Sequence, residues 1–104
     1  MSIASTPPAP YYAVIFTSIQ KEKIEGYASM AERMMELVAQ QPGFLGVENA
    51  REEIGITISH WDSMYSIKLW KENAEHRIAQ EYGKMQWYKH YTVRICLVQR
   101  EYSF

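Results

Sequence analysis

Apolar positions along this chain of 104 residues change period several times, and each change marks an element. Residues 11 to 19, YYAVIFTSI, are aromatic and β-branched and too few for a free-standing helix, so they predict a first strand. Both of its alternating faces are apolar, with Tyr12, Val14 and Phe16 on one and Ala13, Ile15 and Ile19 on the other, as expected of a strand covered on two sides. From 27 to 41 the period lengthens. Tyr27, Met30, Ala31, Met34, Leu37 and Val38 recur at three- and four-residue spacing with Glu32, Arg33, Glu36 and Gln40 opposite, an amphipathic helix. Gln41-Pro42-Gly43 ends it, because proline donates no helical hydrogen bond and glycine accepts a left-handed turn. Two short strands, FLGVENAR (44 to 51) and GITISHW (55 to 61), joined by a polar link ending at Gly55, predict a hairpin.

Asp62-Ser63 offers a helix N-cap, and Met64, Ile67 and Trp70 form an apolar stripe running to about residue 72. Asn73 suits a cap better than a helix interior, so the helix breaks there and a second segment covers 74 to 83, with Glu75 well placed against its dipole. On one unbroken helix Trp70 and His76 would point well apart; a break at Asn73 lets both face one cavity. Residues 90 to 98, HYTVRICLV, form another two-faced strand, and the tail QREYSF carries Tyr102 and Phe104 outward, towards another subunit. Residues 1 to 10, with Pro7, Pro8 and Pro10, read as a flexible arm, leaving 11 to 104 as a single domain. The order β-α-β-β-α-β is that of a ferredoxin-like α+β fold, whose antiparallel sheet carries helices on one face. Strands one and four are apolar on both sides, so a face-to-face homodimer is the simplest cover for the other face.

Composition narrows the partners. Eleven Lys and Arg against twelve Asp and Glu give a net charge of −1, which supplies no field for nucleic acid and no basic run for a membrane surface. A 12.2 kDa chain hides only roughly 65% of its extended surface on folding, a further reason to expect a partner subunit. The single Cys96 makes no internal disulfide and no cysteine-based zinc site, and with no secretion-like start or spanning run it points to the cytoplasm.

No metal set, nucleotide loop or nucleophile triad is present: the glycines at 43, 46 and 55 lack a phosphate-binding spacing, and no two histidines fall at helical ligand spacing. What stands out is the density of aromatic and protic groups in the C-terminal half: His60, Trp61, Trp70, His76, Tyr82, Trp87, Tyr88, His90 and Tyr91. Such walls suit a planar organic ligand, although core and dimer interface are the commoner homes for any one of them. His76 is the strongest acid–base candidate, since histidine titrates near neutrality and this one follows a helix break; a capping or surface role competes with it. Hairpin and rim positions account for His60 and His90, adaptable packing for Met30, Met34 and Met35, and a small buried hydrophobe for Cys96. Arg94 is read as an interface pair or a contact for an anionic ligand.

QQPGFLGVE (40 to 48), ITISHWDS (56 to 63), Trp70, NAEHR (73 to 77) and WYKHYTVRI (87 to 95), in this order and spacing, resemble the antibiotic biosynthesis monooxygenase family from about Tyr11 onward. The resemblance implies a dimeric ferredoxin-like α+β barrel with a cavity between sheet and helices in each subunit. Some relatives oxygenate polycyclic phenols or anthrones without metal or flavin, the substrate carbanion itself reducing dioxygen; others bind and degrade haem. The helix tryptophan of both branches matches Trp70. The protic aromatic of the oxygenating branch falls on His76, matching in position but not in type, and its asparagine falls on Ser66. The haem-degrading branch needs an asparagine where this chain has Phe16-Thr17 and a histidine where it has Gln80, so two of its three haem-site residues are missing.

The resulting expectation is a cofactor-independent monooxygenase using dioxygen on an electron-rich aromatic or quinol-type molecule. Trp70 shapes the cavity, His76 takes the acidic proton, Ser66, Tyr82 or Tyr88 holds the oxyanion, and Phe16 lines the site. Two alternatives stand beside it: a non-catalytic binder or sensor of a planar hydrophobic ligand, and a haem-binding protein using His76.

Overall fold

Apolar on both faces, β1 (Tyr11–Gln20) takes a central place in a four-stranded antiparallel sheet. In this computed structural model, which describes residues 3–104, it pairs with β3 (Gly55–Trp61) on one side and β4 (Tyr88–Val98) on the other. β2 (Phe44–Arg51) lies outside β3, giving the order β2-β3-β1-β4. Helices α1 (Tyr27–Val38), α2 (Met64–Glu72) and α3 (Ala74–Gln86) complete a β-α-β-β-α-α-β chain, the ferredoxin-like α+β fold with its second helix divided at Asn73.

The expected periodicities settle into place. Register puts Tyr12, Val14 and Phe16 on one face with Trp61, Ser59 and Thr57. There Val38 of α1, Trp61 and Ile67 of α2 form the buried core, with Tyr12, Val14, Phe44 and Trp70 against it. Trp61 is 0% exposed, and its indole N–H donates to the Ser59 hydroxyl at 2.9 Å. Three boundaries depart from expectation: α1 ends at Val38 rather than 41, α3 continues past Gly83 to Gln86, and β4 begins at Tyr88. The last two follow from Gly83, which is buried. A Cβ there would lie 3.0 Å from the Tyr88 ring, so the missing side chain lets β4 start directly against the helix that precedes it.

Gly43 ties the α1–β2 turn to the start of α2. Its φ of +82° is the left-handed conformation glycine adopts freely. Its carbonyl accepts from the Asp62 amide at 2.9 Å, while the Asp62 carboxylate accepts from the Ser66 hydroxyl at 2.7 Å. Ser63 caps α2 as expected, its hydroxyl accepting from the Ser66 amide.

The opposite sheet face carries Ala13, Ile15, Ile19, Ile56, Ile58, Cys96 and Val98. At one end of it the arm is fastened: the Ala4 amide donates to Glu48, whose carboxylate also meets the buried His60 imidazole at 3.1 Å. Thr6 and Tyr11 both donate to Glu101 in the tail. Among the described residues no helix is long and apolar enough to cross a membrane.

Candidate functional site

The break at Asn73 arises from capping chemistry at two helix ends. Its backbone N–H donates to the Trp70 carbonyl at 3.1 Å, closing α2, and its side-chain oxygen accepts from the His76 amide at 3.2 Å, opening α3. With ψ at 129° the residue is extended, so α3 leaves at an angle and turns His76 back over the last turn of α2.

The outcome is a face-to-face stack. The Trp70 indole and His76 imidazole lie 4.1 Å apart between centroids and 11° from parallel. On the other side of Trp70 stands Trp61, at 6.4 Å and 29°. The imidazole Nδ1 is 2.9 Å from the Trp70 carbonyl oxygen, which only accepts, so Nδ1 carries the proton and Nε2 keeps a free pair. The Gln80 side-chain nitrogen lies 3.3 Å from Nδ1 and from Nε2 alike, beside the imidazole. Burial pushes the His76 pKa below the usual histidine value, against the opposing effect of the Trp70 carbonyl. The positive end of α3 further disfavours an imidazolium there. His76 is therefore a neutral imidazole presenting a basic nitrogen, half-buried beside an indole.

An ion pair holds this corner from outside. Arg33 of α1 grips the Glu75 carboxylate with two nitrogens, each at 2.9 Å, linking α1 to the first turn of α3 one residue before His76. The guanidinium holds the Glu75 carboxyl below the usual range.

The remaining candidates gather elsewhere. Phe16 faces the helices and packs edge-on to Tyr88 at 5.5 Å and against Tyr91 at 5.0 Å. Tyr82 is half exposed and leans on Trp87 at 4.9 Å. Trp87 contacts Tyr27, which contacts Tyr88, so these rings form one continuous aromatic wall. The Ser66 hydroxyl is engaged in the Asp62–Ser63 cap of α2. The structure thus makes two groups on the helix side of the sheet, Trp70 with His76 and Phe16 with Tyr88. Beside them Val93, Ile95 and Leu97 of β4 share the face of Phe16, Val14 and Tyr12 and stay 47–48% exposed, an open apolar floor.

Sequence reasoning missed Trp61 as the second neighbour of Trp70 and Gln80 as a neighbour of the imidazole. The four-residue spacing from His76 to Gln80 on one helix is a signal that would have found the latter. Among the described residues no group of three or more His, Cys, Asp or Glu side chains is placed to hold a metal ion.

Comparison with known proteins adds a family to this geometry. Residues 10–82 match the family described as Antibiotic biosynthesis monooxygenase. A Bacillus subtilis (strain 168) protein, the uncharacterised YqjZ, is 50% identical over 104 residues, covering 98% of this chain and 91% of its own. Among solved structures, Rv0793 from Mycobacterium tuberculosis superposes with a TM-score of 0.78 at 10% identity, over 91% of this chain and all of that one. SnoaB, a cofactor-independent oxygenase from Streptomyces nogalater, gives 0.70 at 14% identity over 91% of this chain and 97% of its own. At such identities these two likenesses speak to the fold alone.

Proposed function

Because the chain belongs to the antibiotic biosynthesis monooxygenase family, we propose that it oxygenates an electron-rich phenol or quinol-type molecule with dioxygen and no cofactor. The observation that carries this reading is the neutral His76 imidazole, whose Nδ1 proton is tied to the Trp70 carbonyl and whose Nε2 keeps its basic lone pair. A phenolic or activated C–H proton passes to Nε2; the carbanion gives one electron to dioxygen, the substrate radical and superoxide join as a C–O bonded peroxide that takes the proton back from Nε2, and O–O cleavage with loss of water leaves one oxygen on the ring as a carbonyl. Phe16 and the open strip of β4 form the floor on which such a ring rests, and the Tyr88 hydroxyl is a donor for the oxyanion. The described cofactor-independence of the structurally similar SnoaB agrees with a site that relies on its own imidazole.

The test is oxygen uptake with an anthrone or hydroquinone, corrected for autoxidation. His76→Ala should keep its fold and lose at least roughly 100-fold in rate, in line with a general base. Since burial lowers the His76 pKa, and the base works when neutral, the wild-type rate should stay level down to about pH 6.5 and fall only below it. Undiminished uptake by the alanine variant would sink the assignment.

A binder without chemistry is the second reading, favoured by one observation. Where the oxygenating branch carries an asparagine, Ser66 commits its hydroxyl to Asp62. That reading expects saturable ligand binding with no oxygen uptake above background.

Assembly belongs to the same proposal. The apolar sheet face holding Ile15, Ile19, Ile56 and Ile58 suits a homodimer, with Ile19 and Ile56 left 41% and 42% exposed in a single chain. Light scattering should return twice the 12.2 kDa chain mass; a monomer at micromolar concentration would refute this.

A further inference from the structure

At the far end of the helix-side face from Trp70, a second set of polar groups collects around Arg51. This last residue of β2 lies opposite Gly55, and Gly55 lies opposite Ser18. Gly55 is buried and bare: a Cβ there would collide with the Arg51 guanidinium, so glycine is what allows that group to cross the sheet surface. The guanidinium reaches the Ser18 hydroxyl, which is 1% exposed. Arg51 itself remains exposed, and among the described residues it forms no ion pair. Its guanidinium is thus a cation anchored on Ser18 and reachable from solvent.

Its neighbours add donors and aromatic surface. Tyr91 pairs across the ladder with Ser18, and Tyr88 with Gln20. The Gln20 amide nitrogen is buried with no hydrogen-bond partner among the described residues, an orphan donor carrying its full desolvation penalty. Burial and the adjacent Tyr27 hydroxyl hold the Tyr88 phenol far above its usual pKa, so it stays an O–H donor. Against Tyr88 and Tyr91 opens a hollow of about 150 Å³ rimmed by Lys84, Lys89 and His90, with Lys84 shared with Glu81 at 3.4 Å.

We propose that this end of the sheet binds an aromatic carboxylate, its ring against Phe16, Tyr88 and Tyr91 and its carboxylate on Arg51, with the Gln20 amide donating. The planar guanidinium fork matches a carboxylate, and the orphan amide gains the acceptor it lacks. The site shares Phe16 and Tyr88 with the oxygenase reading and rests on it only for regarding the occupant as a substrate.

Calorimetric titration of the full chain at pH 7 with 2-naphthoate and with neutral 2-naphthamide tests it without turnover. The carboxylate should bind at least about tenfold tighter, and Arg51→Gln should erase that preference while Arg51→Lys keeps part of it. Gln20→Leu, which leaves the Arg51–Gly55 contact alone, should weaken 2-naphthoate severalfold and decides the matter if Arg51→Gln fails to fold. Equal affinity for the two compounds, no saturable heat with 2-naphthoate, or a preference that survives the folded substitutions overturns the proposal. A naphthoate preference without oxygen uptake would leave this site standing and remove the oxygenase; uptake without the preference would do the reverse.

Discussion

Trp61→Ala should cost about 3–5 kcal/mol of stability, much of what a domain of this size possesses. This side chain joins several parts of the fold. The indole is fully buried, packs edge-on to Phe44 at 5.5 Å, and supports Trp70 from beneath at 6.4 Å. Removing it leaves a large cavity between α1, α2 and β3, and deprives the Ser59 hydroxyl of its donor. Urea unfolding followed by far-ultraviolet circular dichroism measures the loss, and Trp61→Phe should recover most of it. A loss below about 1 kcal/mol would mean that the core does not depend on this ring.

Gly43→Ala should cost about 2–3 kcal/mol, for two separable reasons. The left-handed backbone charges an L-residue roughly 1–2 kcal/mol, and the new methyl collides with the Asp62 carboxylate and Ser66 hydroxyl, breaking a cap arrangement worth about 1 kcal/mol. Gly26 separates the two contributions. Its φ is +81°, nearly the same, but a Cβ there meets only Trp87 at 3.9 Å. Gly26→Ala should therefore show the backbone share alone, about 1 kcal/mol less than Gly43→Ala in the same denaturation experiment. Equal losses would show that the Asp62–Ser66 link contributes nothing measurable.

What was legible in the sequence is what local physics controls. The stripe from Tyr27 to Val38, the left-handed turn at Gly43, the Ser63 cap and the break at Asn73 each depend on residues within a few positions of one another, and each stands where the local pattern puts it. The ends of α3 and β4 were misjudged because they depend on a contact between Gly83 and the Tyr88 ring across the corner, which periodicity does not register. The same holds for the candidate site. That Trp70 and His76 share one side of the break follows from Asn73; that they stack, with Nδ1 tied to the Trp70 carbonyl, depends on the angle at which α3 departs. Arg51 shows the limit most clearly. It meets Ser18 only because β2, β3 and β1 lie side by side in a particular register and the residue between them is glycine.

The strand order has a consequence for how the molecule is made. Central β1 is synthesised first among the strands, yet its partner on one side is β4, so the ladder that joins Tyr11 to Val98 closes only when nearly the whole chain is in hand. Until then β1 offers an unpaired apolar edge to whatever lies nearby, and the loop to be closed includes every other element. Pairing of β1 with β4 therefore waits for the last strand and carries a large loop-closure cost, so refolding is expected to be limited by this ladder.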